Sequence, residues 1–332
     1  MKMTPRMIKG TAAACLLAAL STCLPARAGD PPAGANGKRM KAVSLPGDQV
    51  SIRRDGVELT RLNFGPNLHR PFLFPVTGPS GNPLTRRAGD GGHPHHNSIW
   101  IAHPRINGVD FWTNEGTGRI IQQKLENVSD GDTSASITTL IHWDDTSKNE
   151  TLLVEHRSYT FQSLDKGEWM LLIDSQFEAV TDVSFGIAQH GILGVRFVDT
   201  FKLEAGGTRL VSNGVIDQKS ISGKGVRWAD ETGRATANDN APLEGIAIFN
   251  HPANPDYSSC FRVYNGWMST ELTVARPVAL PKGGTLRLCY GVYIHGDRPA
   301  SAIEARWQAF AASNPDELAA PENPLKTLEE KP

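Results

Sequence analysis

Short stretches of alternating apolar and polar residues, separated by turn-forming Gly, Asn, Asp and Pro, run from about residue 42 to residue 295. This period of two is typical of β-strands, in which successive side chains point to opposite faces. In TLRLCYGVYIH (285–295) it predicts one face made of Leu286, Leu288, Tyr290, Val292 and Ile294, and an opposite face made of Arg287, Cys289, Tyr293 and His295. Many such segments predict an all-β fold, a large antiparallel β-sandwich, with a twisted barrel as the alternative.

Local signals locate several elements within this pattern. VSIRRDGVELTRLNFG (50–65) predicts a β-hairpin with Asp55-Gly56 as its turn. Further strands are predicted in SASITTLIHW, LLVEHRSYTFQSL, WMLLIDSQFEAV, TFKLEA and GIAIFN. Helical spacing is clear only near the end, where Ile303, Trp307 and Phe310 predict a short C-terminal helix that Pro315 terminates.

The N-terminal residues predict a secretory signal peptide. Basic residues precede the apolar stretch TAAACLLAALSTCL, which is too short to span a bilayer comfortably, and Ala-Arg-Ala ends at position 28. We therefore expect cleavage after Ala28 and a periplasmic or secreted protein. The remaining chain divides into a disordered lead-in (29–41), a single β-sandwich domain (42–313) and a loose C-terminal tail (314–332).

The charge balance limits the classes of partner. The chain has 34 Lys and Arg, 35 Asp and Glu, and a formal net charge of −1. It lacks the basic excess of a nucleic-acid-binding protein, and no stretch after the signal peptide is apolar enough to insert into a membrane. Two cysteines, Cys260 and Cys289, remain after cleavage, and they are expected either to form a disulfide or to be buried thiols.

A histidine cluster is the first candidate site. His93, His95, His96 and His103 lie within GDGGHPHHNSIWIAHP (89–104). Imidazoles act as acids or bases near neutral pH, and we assign this role first to His95 and His96. The spacing of His93 and His95 also suits two ligands of a divalent transition metal. A third possibility is that some of these rings only hold the loop through backbone hydrogen bonds.

The segment NGVDFWTNEG (107–116) follows the histidines. It combines an aromatic ring, carboxylates and amides, as sugar sites do: the ring stacks on the sugar and the polar groups bind its hydroxyls. Glu115 is the predicted carboxylate partner of a histidine acid/base pair. Trp112 is predicted to stack on a sugar, and Asp110 to bind it; the alternatives are a core ring for Trp112 and a turn-capping carboxylate for Asp110.

Three further residues complete the predicted site. Arg70 precedes Pro71 and could bind a carboxylate of a uronic acid through two hydrogen bonds, or form an internal salt bridge. Gln189 and His190 interrupt the apolar run FGIAQHGILGVRF, and polar residues in such a run are hydrogen-bonded or face a pocket. We predict that both face the pocket.

Four long motifs carry a resemblance to a known family. They are RPFLFPVTGPSGNPLTR (70–86), HPHHNSIWIAHPRINGVDFW (93–112), GIAIFNHPANPD (245–256) and YGVYIHGD (290–297). Together they resemble the PmoA-like family of exported bacterial proteins, often labelled "methane oxygenase PmoA", over about residues 42–312. The resemblance implies a supersandwich like that of galactose mutarotases and, since members commonly accompany sugar-degrading proteins, work on carbohydrates. The label itself implies an integral membrane protein rich in apolar helices, which this sequence lacks after its signal peptide.

The chain departs from the family pattern at two places. Asn97 stands where the family usually has an Arg after the histidine cluster, which removes a cation that could orient a sugar. Gln189 and His190 stand where the family often has a Lys-Glu pair. If that Glu acts as a general base in the family, His190 or another residue must replace it here.

Three functions follow from these residues. The first is an exported carbohydrate-active enzyme, a lyase, epimerase or glycoside-cleaving enzyme, without a cofactor. Its catalytic residues would be His95, His96, His190 and Glu115, and its substrate-binding residues Arg70, His93, His103, Asp110, Trp112 and Gln189. The second is a metal-dependent enzyme or oxidoreductase that uses Cu, Zn or Fe, with His93 and His95 as ligands. The third is a carbohydrate-binding protein without turnover.

Overall fold

Two eight-stranded antiparallel sheets dominate the fold. The computed structural model describes residues 39–87, 93–201, 209–212, 225–255, 261–264 and 266–318. All of these belong to one compact unit.

The first sheet brings together strands from the N-terminal third of the chain, from its middle and from its C-terminal third. Its strands, in spatial order, are β1 Met40–Leu45, β2 Gln49–Arg54, β3 Val57–Asn63, β4 Phe72–Val76, β5 Ile99–Ile101, β11 Leu193–Arg196, β16 Trp267–Thr270 and β15 Phe261–Tyr264. β5 pairs with β4 on one side and with β11 on the other, so this sheet joins the HPHH region to the segment after His190.

The second sheet contains the longest strands. Its strands, in spatial order, are β12 Arg209–Val211, β13 Trp228–Arg234, β14 Leu243–Asn250, β18 Thr285–Gly296, β9 Trp169–Ala179, β8 Glu150–Ser163, β7 Ser134–Asp145 and β6 Gly118–Ser129. A small third sheet pairs β10 Val183–Phe185 with β17 Val278–Leu280.

Residues from both large sheets form one hydrophobic core. Ile52 and Val195 of the first sheet and Ile141 and Phe177 of the second are buried in the same cluster. Opposing faces of two antiparallel sheets that share a core make a β-sandwich. The predicted fold class is therefore confirmed.

Local sequence signals are confirmed in two strand regions. β2 and β3 pair through a turn at Asp55 and Gly56, whose φ angles of 50° and 83° are those of a tight hairpin turn. The predicted alternation in β18 is also present. Its large aliphatic residues enter the core between the sheets, while Cys289 and Tyr293 enter a second cluster on the opposite face of the sheet.

The predicted C-terminal helix is α1, Ala300–Ala311. It buries Ile303, Trp307 and Phe310 against the outer face of the second sheet, and thereby forms the second cluster. A further short helix, α2 (Pro315–Leu318), follows inside the stretch predicted as a loose tail. Arg287 of β18 donates a hydrogen bond to the Pro315 carbonyl at 2.6 Å, so the ordered domain extends past residue 313.

Some predictions fall outside the described residues. They include the signal peptide, most of the lead-in, Cys260, residues 202–205 of TFKLEA and the tail after Leu318. β1 begins at Met40, inside the predicted lead-in. Cys289 is a buried free thiol 3.4 Å from Oδ1 of Asp174, and burial raises its pKa. Within the described residues no helix has the length and hydropathy of a membrane span.

Glu168 is expected to make stability depend on acid pH. Its buried carboxylate accepts hydrogen bonds from Arg298 (2.8 and 3.0 Å), Tyr293 (2.5 Å) and the Gly296 N–H (3.0 Å). Burial raises its pKa, but these donors outweigh that effect and lower the pKa below 4.5. A depressed carboxyl pKa stabilises the fold above the unfolded-state pKa, and the contribution is lost as the pH falls through the folded-state value.

Urea denaturation over about pH 7 to about pH 3 tests this expectation. The unfolding free energy of the wild type should fall more steeply below about pH 4.5 than that of Glu168→Gln. Equal pH slopes for the two proteins would show that Glu168 is not a source of the acid sensitivity.

Candidate functional site

The candidate site is built around Trp100 of β5, on the face of the first sheet opposite Ile99 and Ile101. Trp100 is 1% exposed and belongs, with Ile99 and Ile101, to the large cluster of buried side chains. His96 stacks on Trp100 with ring centroids 5.0 Å apart and an interplanar angle of 23°. His93 stacks in turn on His96 at 4.8 Å and 13°. Trp100, His96 and His93 thus form a column from the sheet to the surface.

Gly194 of β11 makes room for this column. A Cβ at position 194 would lie 2.6 Å from Cε2 of Trp100, far closer than side-chain carbons approach one another. Gly194→Ala is therefore expected to displace the Trp100 ring and, with it, His96. We predict a loss of stability of about 1–3 kcal/mol from overpacking, measured by urea denaturation. Gly65→Ala is the control, because its φ is not positive and the added carbon would meet only Asp48 atoms, at 3.7 and 3.9 Å. Unchanged stability and unchanged Trp fluorescence in Gly194→Ala would contradict this account.

Three imidazoles meet at the outer end of the column. His95 lies edge-on to His93 and His96, with ring centroids 5.5 and 4.5 Å away. One ring nitrogen from each of the three residues lies within 4.8 Å of the others. His95 and His96 are 9% and 2% exposed, whereas His93 is exposed to solvent. The Nδ1 atoms of His95 and His96 are buried, and no described residue forms a hydrogen bond with either atom.

Hydrogen bonds from neighbouring segments hold the histidine loop in place. Arg70 donates to the His95 carbonyl at 3.1 Å, and Asn114 donates to the Pro94 carbonyl at 3.3 Å. The His96 N–H donates to the His93 carbonyl at 3.2 Å and closes a turn. The loop therefore keeps one backbone conformation while its rings face one another.

Arg70 is buried beside the histidine loop. Its guanidinium is 2% exposed and also donates to the carbonyls of Phe111 (3.2 Å) and Thr113 (2.7 Å). Burial lowers its pKa to about 10, so it remains a cation. Three of the five N–H groups of the guanidinium donate to backbone carbonyls, so Arg70 holds two loops together. Its predicted role as a clamp on a substrate carboxylate stays a prediction.

Asp110 and Trp112 also have structural positions. The Asp110 carboxylate accepts the N–H groups of Trp112 (2.7 Å) and Thr113 (3.1 Å) and the Thr113 hydroxyl (2.5 Å), which is the turn-capping alternative. Trp112 is 2% exposed and contacts Trp100 at 5.2 Å between centroids. It forms a wall behind the histidines and belongs to the buried cluster, as the core alternative expects. Its predicted stacking on a sugar stays a prediction.

His103 and Gln189 are both engaged with protein groups. His103 is fully buried, with Nε2 2.9 Å from the Thr273 hydroxyl and Nδ1 accepting the Arg105 N–H at 3.2 Å. Burial lowers the pKa of His103 to about 3, and the ring cannot reach a substrate. This corrects its predicted role in binding. Gln189 is exposed at the rim, where its side-chain oxygen accepts a hydrogen bond from Arg262 at 2.7 Å.

His190 lies beside the aromatic wall and is half-buried. Its ring contacts Trp112 at 4.8 Å and Trp267 at 6.3 Å between centroids. Among the described residues no hydrogen bond occupies its nitrogens. Burial, and then the charge of Arg262, lower its pKa. Glu115 is exposed, and its charge opposes the lowering of the pKa of His95.

Burial keeps the two inner histidines uncharged. Desolvation and then the nearby Arg70 lower the pKa of His95 to about 4. Desolvation and then His95 lower that of His96 to about 2. Both rings are therefore neutral at pH 7 and have lone pairs to offer, whereas a general acid needs a proton to give. Their predicted catalytic role stays a prediction, restricted to proton acceptance.

One residue of this face, Arg262, was not predicted from the sequence. Register places Arg262 of β15 opposite Ser269 of β16, on the same face as Trp267. Arg262 donates to Gln189 and lies 3.5 Å from the carboxylate of buried Glu271. The available signal was alternation: Arg262 lies between the core residues Phe261 and Val263.

Solved structures that resemble the chain do so distantly. A mutant of heparan sulfate lyase HepC from Pedobacter heparinus has 14% identity and a TM-score of 0.40 over 82% of this chain, which spans 38% of the lyase. A galactose mutarotase-like protein from Lactobacillus casei has 9% identity and a TM-score of 0.39 over 77% of this chain and 100% of its own. A galactose 1-epimerase from Lactobacillus acidophilus has 10% identity and a TM-score of 0.34, with coverages of 78% and 98%.

Sequence comparison gives a direct assignment. No curated protein matches the chain. A family model does match, over residues 49–308, which include every residue of the candidate site. Because this match spans well over half of the chain, the protein belongs to the family of unknown function DUF6807.

Proposed function

We propose that the protein is an exported carbohydrate-active enzyme that transfers protons at a sugar, as a lyase, an epimerase or a glycoside-cleaving enzyme does. The observation that carries the proposal is the accumulation of imidazole and indole rings on one sheet face: His93, His95, His96 and His190 beside Trp100, Trp112 and Trp267. That the substrate is a carbohydrate is inferred from the resemblance of the sequence motifs to the PmoA-like family. This resemblance is itself part of the proposal.

His190 is the proposed proton acceptor. General acid-base catalysis requires a group that reaches the substrate and is free to exchange a proton. His190 is half-buried beside Trp112, and no described residue forms a hydrogen bond with its ring. The half-buried ring packs against Trp112 and Trp267. Exposed Glu115 is the proposed carboxylate partner.

Arg262 is the proposed contact for a uronic-acid carboxylate. We assign this role to Arg262 and not to Arg70, because Arg70 donates to three backbone carbonyls inside the protein. The Arg262 side chain is 31% exposed and is oriented by Gln189 and Glu271. An oriented guanidinium suits both carboxylates and sugar hydroxyls. Gln189 contacts Arg262, and exposed Gln189 and His93 are proposed to bind further hydroxyls.

The test is to incubate the full chain with uronic-acid-containing and with neutral oligosaccharides, and to detect the products by chromatography and NMR. Wild-type protein should convert a substrate, and His190→Asn should lower kcat by about 10²–10⁴-fold with its fold retained. His156→Gln removes an exposed imidazole on β8 that hydrogen-bonds Glu126, and should leave kcat unchanged.

Two results would contradict the proposal. Full activity in His190→Asn would remove this residue from the mechanism. Saturable binding of an oligosaccharide without any product would make the protein a carbohydrate-binding protein.

A further inference from the structure

We propose that His93, His95 and His96 together bind one divalent transition metal ion of the Zn²⁺ or Cu²⁺ class. The inference adds a metal to the site of the proposed function and rests on that function only for what the metal would be used for. The binding itself is argued from the three side chains and from the residues that hold them.

Three side chains that can act as metal ligands converge in this loop. Neutral imidazole nitrogens are common ligands of Zn²⁺ and Cu²⁺. Here three of them lie within 4.8 Å of one another. In tetrahedral coordination, Zn–N bonds of about 2.0–2.1 Å put two ligand nitrogens of one ion about 3.4 Å apart. The nitrogens therefore need to approach by up to about 1.4 Å on binding. Because the lone pair lies in the plane of the ring, His93 also has to turn out of its parallel stack on His96. His93 is exposed, so its side chain has room for both movements.

The second argument is the state of the buried nitrogens. Nδ1 of His95 and Nδ1 of His96 are buried, and no described residue offers either a hydrogen bond. Buried polar atoms normally have a partner, because burying one without a partner costs free energy. A metal ion bound to an imidazole nitrogen provides such a partner.

The third argument is the rigidity of the surroundings. Metal sites depend on neighbouring groups that orient the ligands. His96 lies between Trp100 and Trp267, at centroid distances of 5.0 and 4.9 Å. The backbone of His95 is fixed by Arg70. Two of the three ligands are therefore held by packing and hydrogen bonds before any ion arrives.

The ligand set also indicates what the ion would do. Three neutral ligands leave the charge of the ion uncompensated, and a three-ligand site leaves a position for water or substrate. Such an ion polarises a bound oxygen and lowers the pKa of bound water. The exposed position of His93 places that side of the site toward solvent. A sugar hydroxyl or a uronic-acid carboxylate can provide the oxygen that occupies the open position on the ion.

Metal binding is measured on the full chain after treatment with a chelator. The protein is titrated with Co²⁺, and the visible absorption of the bound Co²⁺ is recorded. Zn²⁺ is then added to compete for the site. Wild-type protein should bind one Co²⁺ per chain, and Zn²⁺ should displace it. His93→Gln and His95→Gln should each weaken binding by more than the roughly 10–100-fold effect of changing a residue that only orients a ligand. His156→Gln should bind as the wild type does, and circular dichroism checks that each variant folds.

Two outcomes overturn the metal site. One is absence of Co²⁺ and Zn²⁺ binding by folded wild-type protein. The other is binding by folded His93→Gln and His95→Gln that equals the wild type, which would place the ion elsewhere. Neither outcome depends on turnover of a sugar, so the metal site and the proposed function can fail separately.

Discussion

Replacing Arg157 with Ala is expected to lower the free energy of unfolding by about 3–5 kcal/mol. Arg157 lies on the core face of β8 and is fully buried. Its guanidinium donates to both carboxylate oxygens of Glu155 at 2.6 Å and to the Tyr159 hydroxyl at 2.9 Å. Without it, the Glu155 carboxylate remains inside the sandwich with only Trp143 as a donor. An uncompensated buried charge is costly, so the effect should be large.

Urea denaturation of two further variants tests whether the cause is the buried charge. Arg39→Ala removes an exposed pair with Asp55, whose side chains are 60% and 46% exposed, and should cost at most about 1 kcal/mol. Replacing both Arg157 and Glu155 with Leu should restore much of the lost stability, because apolar residues often replace a buried ion pair without cost. Equal losses for Arg157→Ala and Arg39→Ala would contradict this account.

The second large effect is expected from Arg70→Lys. A lysine keeps the charge but cannot donate simultaneously to the carbonyls of His95, Phe111 and Thr113. Leaving buried carbonyls without a donor should cost about 2–4 kcal/mol. Since the His95 backbone is released, Co²⁺ affinity should also fall by about 10–100-fold. Urea denaturation and the Co²⁺ titration measure the two effects.

Arg105→Lys is the control for Arg70→Lys, because it makes the same change at an exposed arginine 35 residues further along the chain. It should change neither the stability nor the Co²⁺ affinity. If Arg70→Lys instead kept full stability and raised only the KM for a uronic-acid substrate, Arg70 would be the carboxylate clamp expected from the sequence.

The sequence predicts the parts of the fold that depend on local periodicity. β18 shows why: its alternation alone separates Leu288 and Val292 from Cys289 and Tyr293, and a strand between two packed layers needs nothing more. The Asp55-Gly56 turn and the apolar stripe of α1 are local in the same sense. The order of strands in each sheet depends on pairings between distant segments, such as β5 with β11, and alternation does not determine these pairings.

The candidate site was predictable where its residues are neighbours in the chain. His93, His95 and His96 share one loop, so their proximity follows from the sequence. The hydrogen bonds of Arg70 were not predicted, because its partners are backbone carbonyls of distant loops, which no side-chain pattern indicates. Arg262 was missed because alternation assigns a residue to a face of its strand, while only the pairing of β15 with β16 brings that face to the site.

Anomalous X-ray diffraction at the zinc edge, from crystals of the full chain soaked in Zn²⁺, tests the histidine site most directly. The account predicts one strong anomalous peak within bonding distance of His93, His95 and His96, about 2.0–2.1 Å from a nitrogen of each. A map with no peak at these residues, in crystals that diffract well after the soak, would contradict the assignment of a metal to this cluster.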